Sequence, residues 1–159
     1  MICLNRLMFH LCSYRNIYRT IITMKKIFVN GTFDLLHTGH LNMLNAAKRK
    51  GDYLHVAIDA DERIKELKGP DRPIQPEHIR IAIMSNLKAV DEVSVFRTDS
   101  DLINIIRMYE PDIMVKGSDW QGGEIIGREY CKDIEFFVRD NDESTTKTIE
   151  DFISRRQLL

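Results

Sequence analysis

Two histidines stand three residues apart in the stretch Gly31-Thr32-Phe33-Asp34-Leu35-Leu36-His37-Thr38-Gly39-His40. At the start of a helix that spacing puts both on one side. Backbone amides and the positive end of the helix dipole make such a start an anion site. His37 and His40 there suit a phosphate whose negative charge grows in a transition state. They could also pack, cap the helix or contribute to a metal site. A second stretch is basic: Arg63, Lys65, Lys68 and Arg72, with Arg80 just beyond. It reads either as a solvated face or as a set of mobile cations that closes over a polyphosphate. In Val115-Lys116-Gly117-Ser118-Asp119-Trp120 the aspartate could accept from a base or a ribose, hold a metal, or serve a turn. Last, Arg139 precedes Ser144-Thr145-Thr146, three hydroxyls where a cap requires one, which points to a second anion site.

These residues need a scaffold that brings four distant loops together, and the apolar pattern supplies one. Short apolar runs at 27–30, 53–58, 93–96, 113–115 and 134–138 read as strands. Between them, Leu41, Leu44 and Ala47 recur at helical spacing, with Gly51 as the C′ residue. The segment from Asp59 to Gln75 reads mainly as loop, with one helical turn near 62–67. Pro76 suits the first turn of a helix to about Lys88 with Ile79, Ile83 and Leu87 on its inner face. Asp99 or Ser100 caps a helix with Leu102, Ile103 and Ile106 inward, ending before Pro111. Ser144 caps a final helix with Ile149, Phe152 and Ile153 inward. Strands alternating with helices imply right-handed βαβ units and an α/β, doubly wound, five-stranded parallel sheet. Such sheets bind ligands at the carboxyl ends of their strands, where the strand order reverses. All four candidate stretches follow strands.

Composition narrows the function further. With 23 Lys and Arg against 24 Asp and Glu, the 159-residue chain has a net charge of −1, which argues against a general nucleic-acid binder. No apolar run reaches the roughly 18 residues of a membrane span. Cys3, Cys12 and Cys131 have neither the number nor the spacing of a disulfide framework or zinc site, so a reducing, cytoplasmic setting is expected. No G-x-G-x-x-G follows the first strand and no G-x-x-x-x-G-K-[ST] occurs, which disfavours a dinucleotide oxidoreductase and a P-loop kinase. Residues 1–23 differ from the rest, with three arginines and no acid. They read as an extension outside the fold, with Met24 as the working start; a transit peptide or a small extra element are the alternatives.

The loop from Gly31 to His40, with His37-Thr38-Gly39-His40 at its core, resembles the signature of the cytidylyltransferase-like nucleotidyltransferases, and Ser144-Thr145-Thr146 resembles their second signature. The resemblance covers about residues 25–155. Two branches fit. Asp91-Glu92-Val93, Asp119-Trp120 and Arg139 five residues before Ser144 resemble glycerol-3-phosphate cytidylyltransferase, which makes CDP-glycerol. Leu67-Lys68-Gly69-Pro70 with Arg72-Pro73, Pro111-Asp112 leading to Val115-Lys116-Gly117, and Ile126-Gly127-Arg128-Glu129 resemble the adenylyltransferase domain of ADP-heptose synthase. Glu143 departs from the pattern, since no glycine occupies 141–143 where both branches have one.

The resemblance implies a domain over 24–159 with a Rossmann-like nucleotidyltransferase fold. It implies transfer of a nucleoside monophosphate from ATP or CTP to a phosphorylated acceptor, with pyrophosphate released. The acceptor-side loops favour a sugar phosphate; CDP-glycerol synthesis is the alternative, and a non-catalytic nucleotide-binding module a second one. Both candidate products are precursors of cell-surface polymers. On this resemblance Thr32 and Phe33 present amides to the triphosphate. His37, His40 and Lys68 act at the reacting phosphates. Lys116, Gly117 and Asp119 lie on the nucleotide side, and Arg139, Ser144, Thr145 and Thr146 grip the β- and γ-phosphates. Asp34, Lys65, Arg72 and Arg80 face the acceptor. Mg²⁺ is expected with the triphosphate, and a homodimer is implied.

Overall fold

A computed structural model describes residues 24–138 and, beyond them, residues 148, 149, 151, 153 and 154. Five strands form one sheet: β1 (Lys26–Gly31), β2 (Tyr53–Asp59), β3 (Glu92–Phe96), β4 (Ile113–Gly117) and β5 (Asp133–Phe137). Their order is β3-β2-β1-β4-β5 and every pairing is parallel. The crossovers carry α1 (Thr38–Lys48), α2 (Asp61–Lys68), α3 (Glu77–Ser85) and α4 (Asp99–Tyr109). The chain winds from β1 outward through β2 to β3, then returns to the other side of β1 for β4. The order therefore reverses between β1 and β4, and their carboxyl ends open a crevice there.

Strand residues alternate between two cores. Ile27, Val29, Leu54, Val56, Ile58, Ile113 and Val115 pack on one face with Leu44 and Ala47 of α1 and Met84 of α3. Phe28, Ala57 and Met114 pack on the other with Leu102 and Ile106 of α4. With both faces covered, the central strands are mostly apolar, as parallel strands require, with His55 of β2 buried among them and the polar Asn30, Asp59 and Lys116 near their carboxyl ends.

Several local details differ from the sequence reading, each for a physical reason. Helix α2 extends over two turns rather than one: Asp61 and Glu62 in its first turn and Lys65 and Lys68 in its last complement the helix dipole. Pro76 is the N-cap of α3, not a first-turn residue, and the inner face of α3 is Arg80 and Met84, while Ile79 is 39% exposed. Helix α4 is capped by Thr98 rather than Asp99 or Ser100. The Thr98 hydroxyl accepts from the Asp101 amide at 3.1 Å and the Asp101 carboxylate accepts from the Thr98 amide at 3.0 Å, a reciprocal capping box. Gly51 is needed for space rather than as a left-handed cap, because a Cβ there would sit 2.5 Å from the Lys25 carbonyl oxygen. Ile153, expected inward, is 51% exposed. Residues 1–23 and the Ser144 cap lie outside the described residues.

Candidate active site

The crevice between the carboxyl ends of β1 and β4 is a cavity of about 390 Å³. Its lining includes Thr32, Phe33, Asp34, His37, His40, Lys68, Arg72, Lys116, Gly117 and Asp119. These ten residues, all singled out in sequence, come from the loops after β1 and β2 and from the end of β4 and beyond it, and meet at one place.

The loop after β1 forms the central wall. Phe33 takes a left-handed backbone conformation (φ 47°), which costs a residue with a Cβ about 1 kcal/mol or more. That turn breaks the strand direction and leads the chain across the strand ends. His37 is the N-cap of α1, and its carbonyl accepts from the His40 amide at 3.0 Å. The first helical turn therefore brings the two imidazoles into a stack, with centroids 3.8 Å apart and 30° between planes. The Phe33 ring backs His40 at 5.2 Å. Both imidazoles thus stand over the amide-rich start of an 11-residue helix.

The cations of the second stretch separate into two groups. Arg80 is 1% exposed and donates to the carbonyls of Thr32, Asp59 and Gln75 and to the Asp61 carboxylate. These bonds staple the β1 loop, β2 and α3 together from inside, and Arg80 lies off the cavity lining. Burial alone would raise the Asp61 pKa, but the Glu77 amide and Arg80 hold it below the usual carboxylate range. Asp34 is likewise engaged within the protein, although it lines the cavity. It is 1% exposed, and its oxygens accept from Arg72 Nε and from the amides of Ile74 and Gln75. Its part is to tie the loop before α3 onto the signature loop. Arg72 lines the cavity with one side engaged by that carboxylate at 2.8 Å. Arg63, also on the lining, bridges Asp59 at 2.9 Å and Asp99 at 2.6 Å. Lys68 is exposed at the rim, where partial desolvation and then the neighbouring Arg72 charge lower its pKa. Lys65 is exposed and lies off the cavity lining.

On the β4 side, Lys116 is 6% exposed and donates to Asn30 Oδ1 at 2.7 Å. Its ammonium lies 5.1 Å from the centroid of the Trp120 ring. Burial lowers its pKa to about 8, against the pull of Asp59 and Asp119. Asn30 and Asp59 are the site residues that sequence missed. Each ends an apolar strand with a polar side chain, and that position is the signal that could have found them. Arg139, Ser144, Thr145 and Thr146 lie outside the described residues. Among the described residues, no three His, Cys, Asp or Glu side chains group as a metal cage.

Known proteins are similar to this chain in sequence and fold. The bifunctional protein HldE of Nitratiruptor is 40% identical over 124 residues, 78% of this chain and 27% of that protein. The protein of the same name from Helicobacter pylori is 41% identical over 138 residues, 87% of this chain and 30% of that protein. The chain thus spans little more than a quarter of the curated relatives it matches. The solved lipopolysaccharide core biosynthesis protein of Thermoplasma volcanium superposes with a TM-score of 0.60 and 26% identity, over 76% of this chain and 99% of that one. Pantothenate synthetase of Thermus thermophilus, 14% identical with a TM-score of 0.51, shares the fold alone. The cytidylyltransferase-like family matches residues 28–151, a span from the third residue of β1 to past the second signature, and the chain belongs to that family.

Proposed function

We propose that this chain transfers a nucleoside monophosphate from ATP to a sugar 1-phosphate, releasing pyrophosphate. The observation that carries the transfer is the stacked His37–His40 pair over the start of α1, on the wall of a cavity at the sheet's switch point. The choice of acceptor is supported by the relatives named HldE, which fall with the ADP-heptose-synthase branch. It is also supported by the acceptor-side residues 67–73 and 126–129 noted in the sequence.

In this reading a phosphate oxygen of the acceptor attacks the α-phosphorus of ATP. A new P–O bond forms there, and the bond from the α-phosphorus to the oxygen bridging the β-phosphorus breaks. Its electron pair leaves on pyrophosphate. The attacking oxygen is already anionic, so no base and no covalent enzyme intermediate is required. Catalysis is positioning plus stabilisation of charge on the five-coordinate α-phosphate. His37 and His40 donate N–H groups to its oxygens, and the helix start adds its dipole. Lys68 at the rim neutralises phosphate charge and is free to close over it. Arg139, Ser144, Thr145 and Thr146 hold the β- and γ-phosphates.

Mg²⁺ belongs to this proposal as the counter-ion that the triphosphate brings. Of the cavity carboxylates Asp34, Asp59 and Asp119, the first two are already engaged by Arg72 and Arg63, and among the described residues no three His, Cys, Asp or Glu group together, so they do not fit a metal cage owned by the protein, and no step is derived through one. The reading extends to a homodimer acting in the cytoplasm, where nucleoside triphosphates are at hand. Sedimentation of the purified chain tests the dimer.

The test of the reaction is a grid of ATP and CTP against heptose 1-phosphate, other sugar 1-phosphates and glycerol 3-phosphate, read as pyrophosphate release. Sites built on hydrogen bonds to a base can discriminate by about 10⁴. ATP with a sugar 1-phosphate is expected as the fast pair. CTP with glycerol 3-phosphate as the sole fast pair would overturn the substrate assignment. No release from any pair would leave the non-catalytic nucleotide-binding module.

A further inference from the structure

The cavity wall at the carboxyl ends of β2 and β3 carries a polar group that the transfer step does not use. Asp59 ends β2, Phe96 ends β3 beside it, and Arg63 stands in the first turn of α2; all three line the cavity. Asp59 Oδ1 accepts from Arg63 Nε at 2.9 Å, and Arg63 Nη2 donates to Asp99, in the first turn of α4, at 2.6 Å. The guanidinium lies 5.3 Å from the centroid of the buried Phe96 ring. Two carboxylates and an aromatic face thus fix the orientation of Arg63.

Charge and hydrogen-bonding capacity narrow what this wall can hold. One guanidinium faces two carboxylates, so the group carries excess negative charge and repels phosphate. A carboxylate has about four lone-pair positions and a guanidinium has five N–H groups. Asp59 uses its lone pairs on Arg63 and on the Thr32 hydroxyl at 3.3 Å, and Arg63 uses Nε and Nη2. Acceptor capacity on Asp59 and donor capacity on Arg63 Nη1 remain side by side at the cavity surface. A hydroxyl both donates and accepts, so adjacent hydroxyls on an uncharged carbon frame match this pair better than a phosphate or an apolar group does.

We propose that Asp59 and Arg63 bind hydroxyls on the sugar body of the acceptor and set its specificity. The inference rests on the nucleotidyl-transfer reading and deepens it. In that reading Lys116, Gly117 and Asp119 serve the nucleotide on the β4 side, and His37 and His40 serve the reacting phosphates. The β2–β3 side is then left for the part of the acceptor that carries no phosphate. Arg63 thereby leaves the set of cations open to a polyphosphate and becomes a specificity-determining residue.

The experiment measures kcat/KM by pyrophosphate release for the full chain with saturating ATP and magnesium chloride. The acceptors are heptose 1-phosphate and analogues that each lack one hydroxyl. Wild type is expected to lose about tenfold or more with at least one analogue, the scale of a hydrogen bond to a charged group. Asp59→Asn keeps the shape of the side chain and removes its charge. It should shrink that loss to about twofold, because the contact is already weakened, and leave the KM for ATP near wild type. Arg63→Lys keeps a cation without the planar fork and should shrink the loss likewise. A merely structural role would lower activity on all acceptors by one factor and keep the wild-type pattern of losses. That result, or a wild type that treats every analogue like heptose 1-phosphate, overturns the inference and leaves nucleotidyl transfer in place. The second result needs no variant, and Arg63→Lys decides if Asp59→Asn fails to fold. Failure of wild type to use heptose 1-phosphate also overturns the inference. Failure with every nucleotide and acceptor pair overturns the nucleotidyl-transfer reading with it.

Discussion

The loop after β1 and the segment between β2 and α3 both bring charged or ionisable side chains to one cavity, by opposite means. In the β1 loop the working groups are fixed by backbone: Phe33 turns the chain, and His37 and His40 are stacked by the first turn of α1. In the β2–α3 segment the fixing is done by the charges themselves. Arg80 and Asp61, Arg72 and Asp34, and Arg63 with Asp59 hold the segment in place. Only Lys65 and Lys68 remain exposed there as free-standing cations. A basic loop therefore cannot be counted as a ligand site residue by residue. The share of its charge left for a ligand depends on which partners burial has given each side chain.

The largest effect expected from that contrast lies in stability. Arg80→Ala removes one member of a buried network and should destabilise the fold by about 3–5 kcal/mol, read from the denaturant midpoint. Arg80→Ala with a wild-type midpoint and a raised KM would return Arg80 to the acceptor site. Next comes chemistry in the β1 loop. His40→Ala should lower kcat by about 10²–10³ with a smaller change in nucleotide KM, and His37→Ala should behave alike. Steady-state kinetics on each variant checks this, and near-native kcat in both would reduce the pair to packing residues.

A third effect comes from Lys116, which belongs to neither region. Its folded pKa, about 8, lies below its ordinary value near 10.5. Below pH 8 the folded state must carry a buried ammonium, and the penalty is fully present. As pH rises from 8 towards 10.5, the folded state sheds that proton while the unfolded chain still binds it. Stability should therefore rise over that window by up to about 3 kcal/mol, at about 1.4 kcal/mol per pKa unit. Lys116→Met should lack this rise when melting is followed against pH. The smallest effect is at the rim: Lys68→Ala should raise a substrate KM about tenfold, a single charge-assisted contact, with an unchanged melting temperature.

The sheet was legible because parallel βαβ units write themselves as apolar runs separated by helical spacing, and the strand ends then point to the loops. The histidine pair was legible because its spacing is local. The fates of Asp34 and Arg80 were not, since Asp34 meets Arg72 across 38 residues of chain and Arg80 meets Thr32 across 48. Asn30 was hidden for a similar reason. Its value lies in holding Lys116 from the neighbouring strand, across a separation of 86 residues. Thr98 was overlooked although its cap is local, because Asp99 and Ser100 are equally good capping types and only the pairing with Asp101 decides.

The central claim is that the α-phosphorus of a nucleoside triphosphate moves to a phosphorylated sugar at the His37–His40 wall. It is tested most directly by following the label from [α-³²P]ATP in a single turnover with heptose 1-phosphate, with wild-type protein and His40→Ala side by side. The account predicts that label passes into a nucleoside diphosphate-sugar, that the released pyrophosphate carries none, and that the variant forms the same product about 10²–10³ times more slowly. Label remaining in free nucleotide, or a variant as fast as wild type, would contradict it.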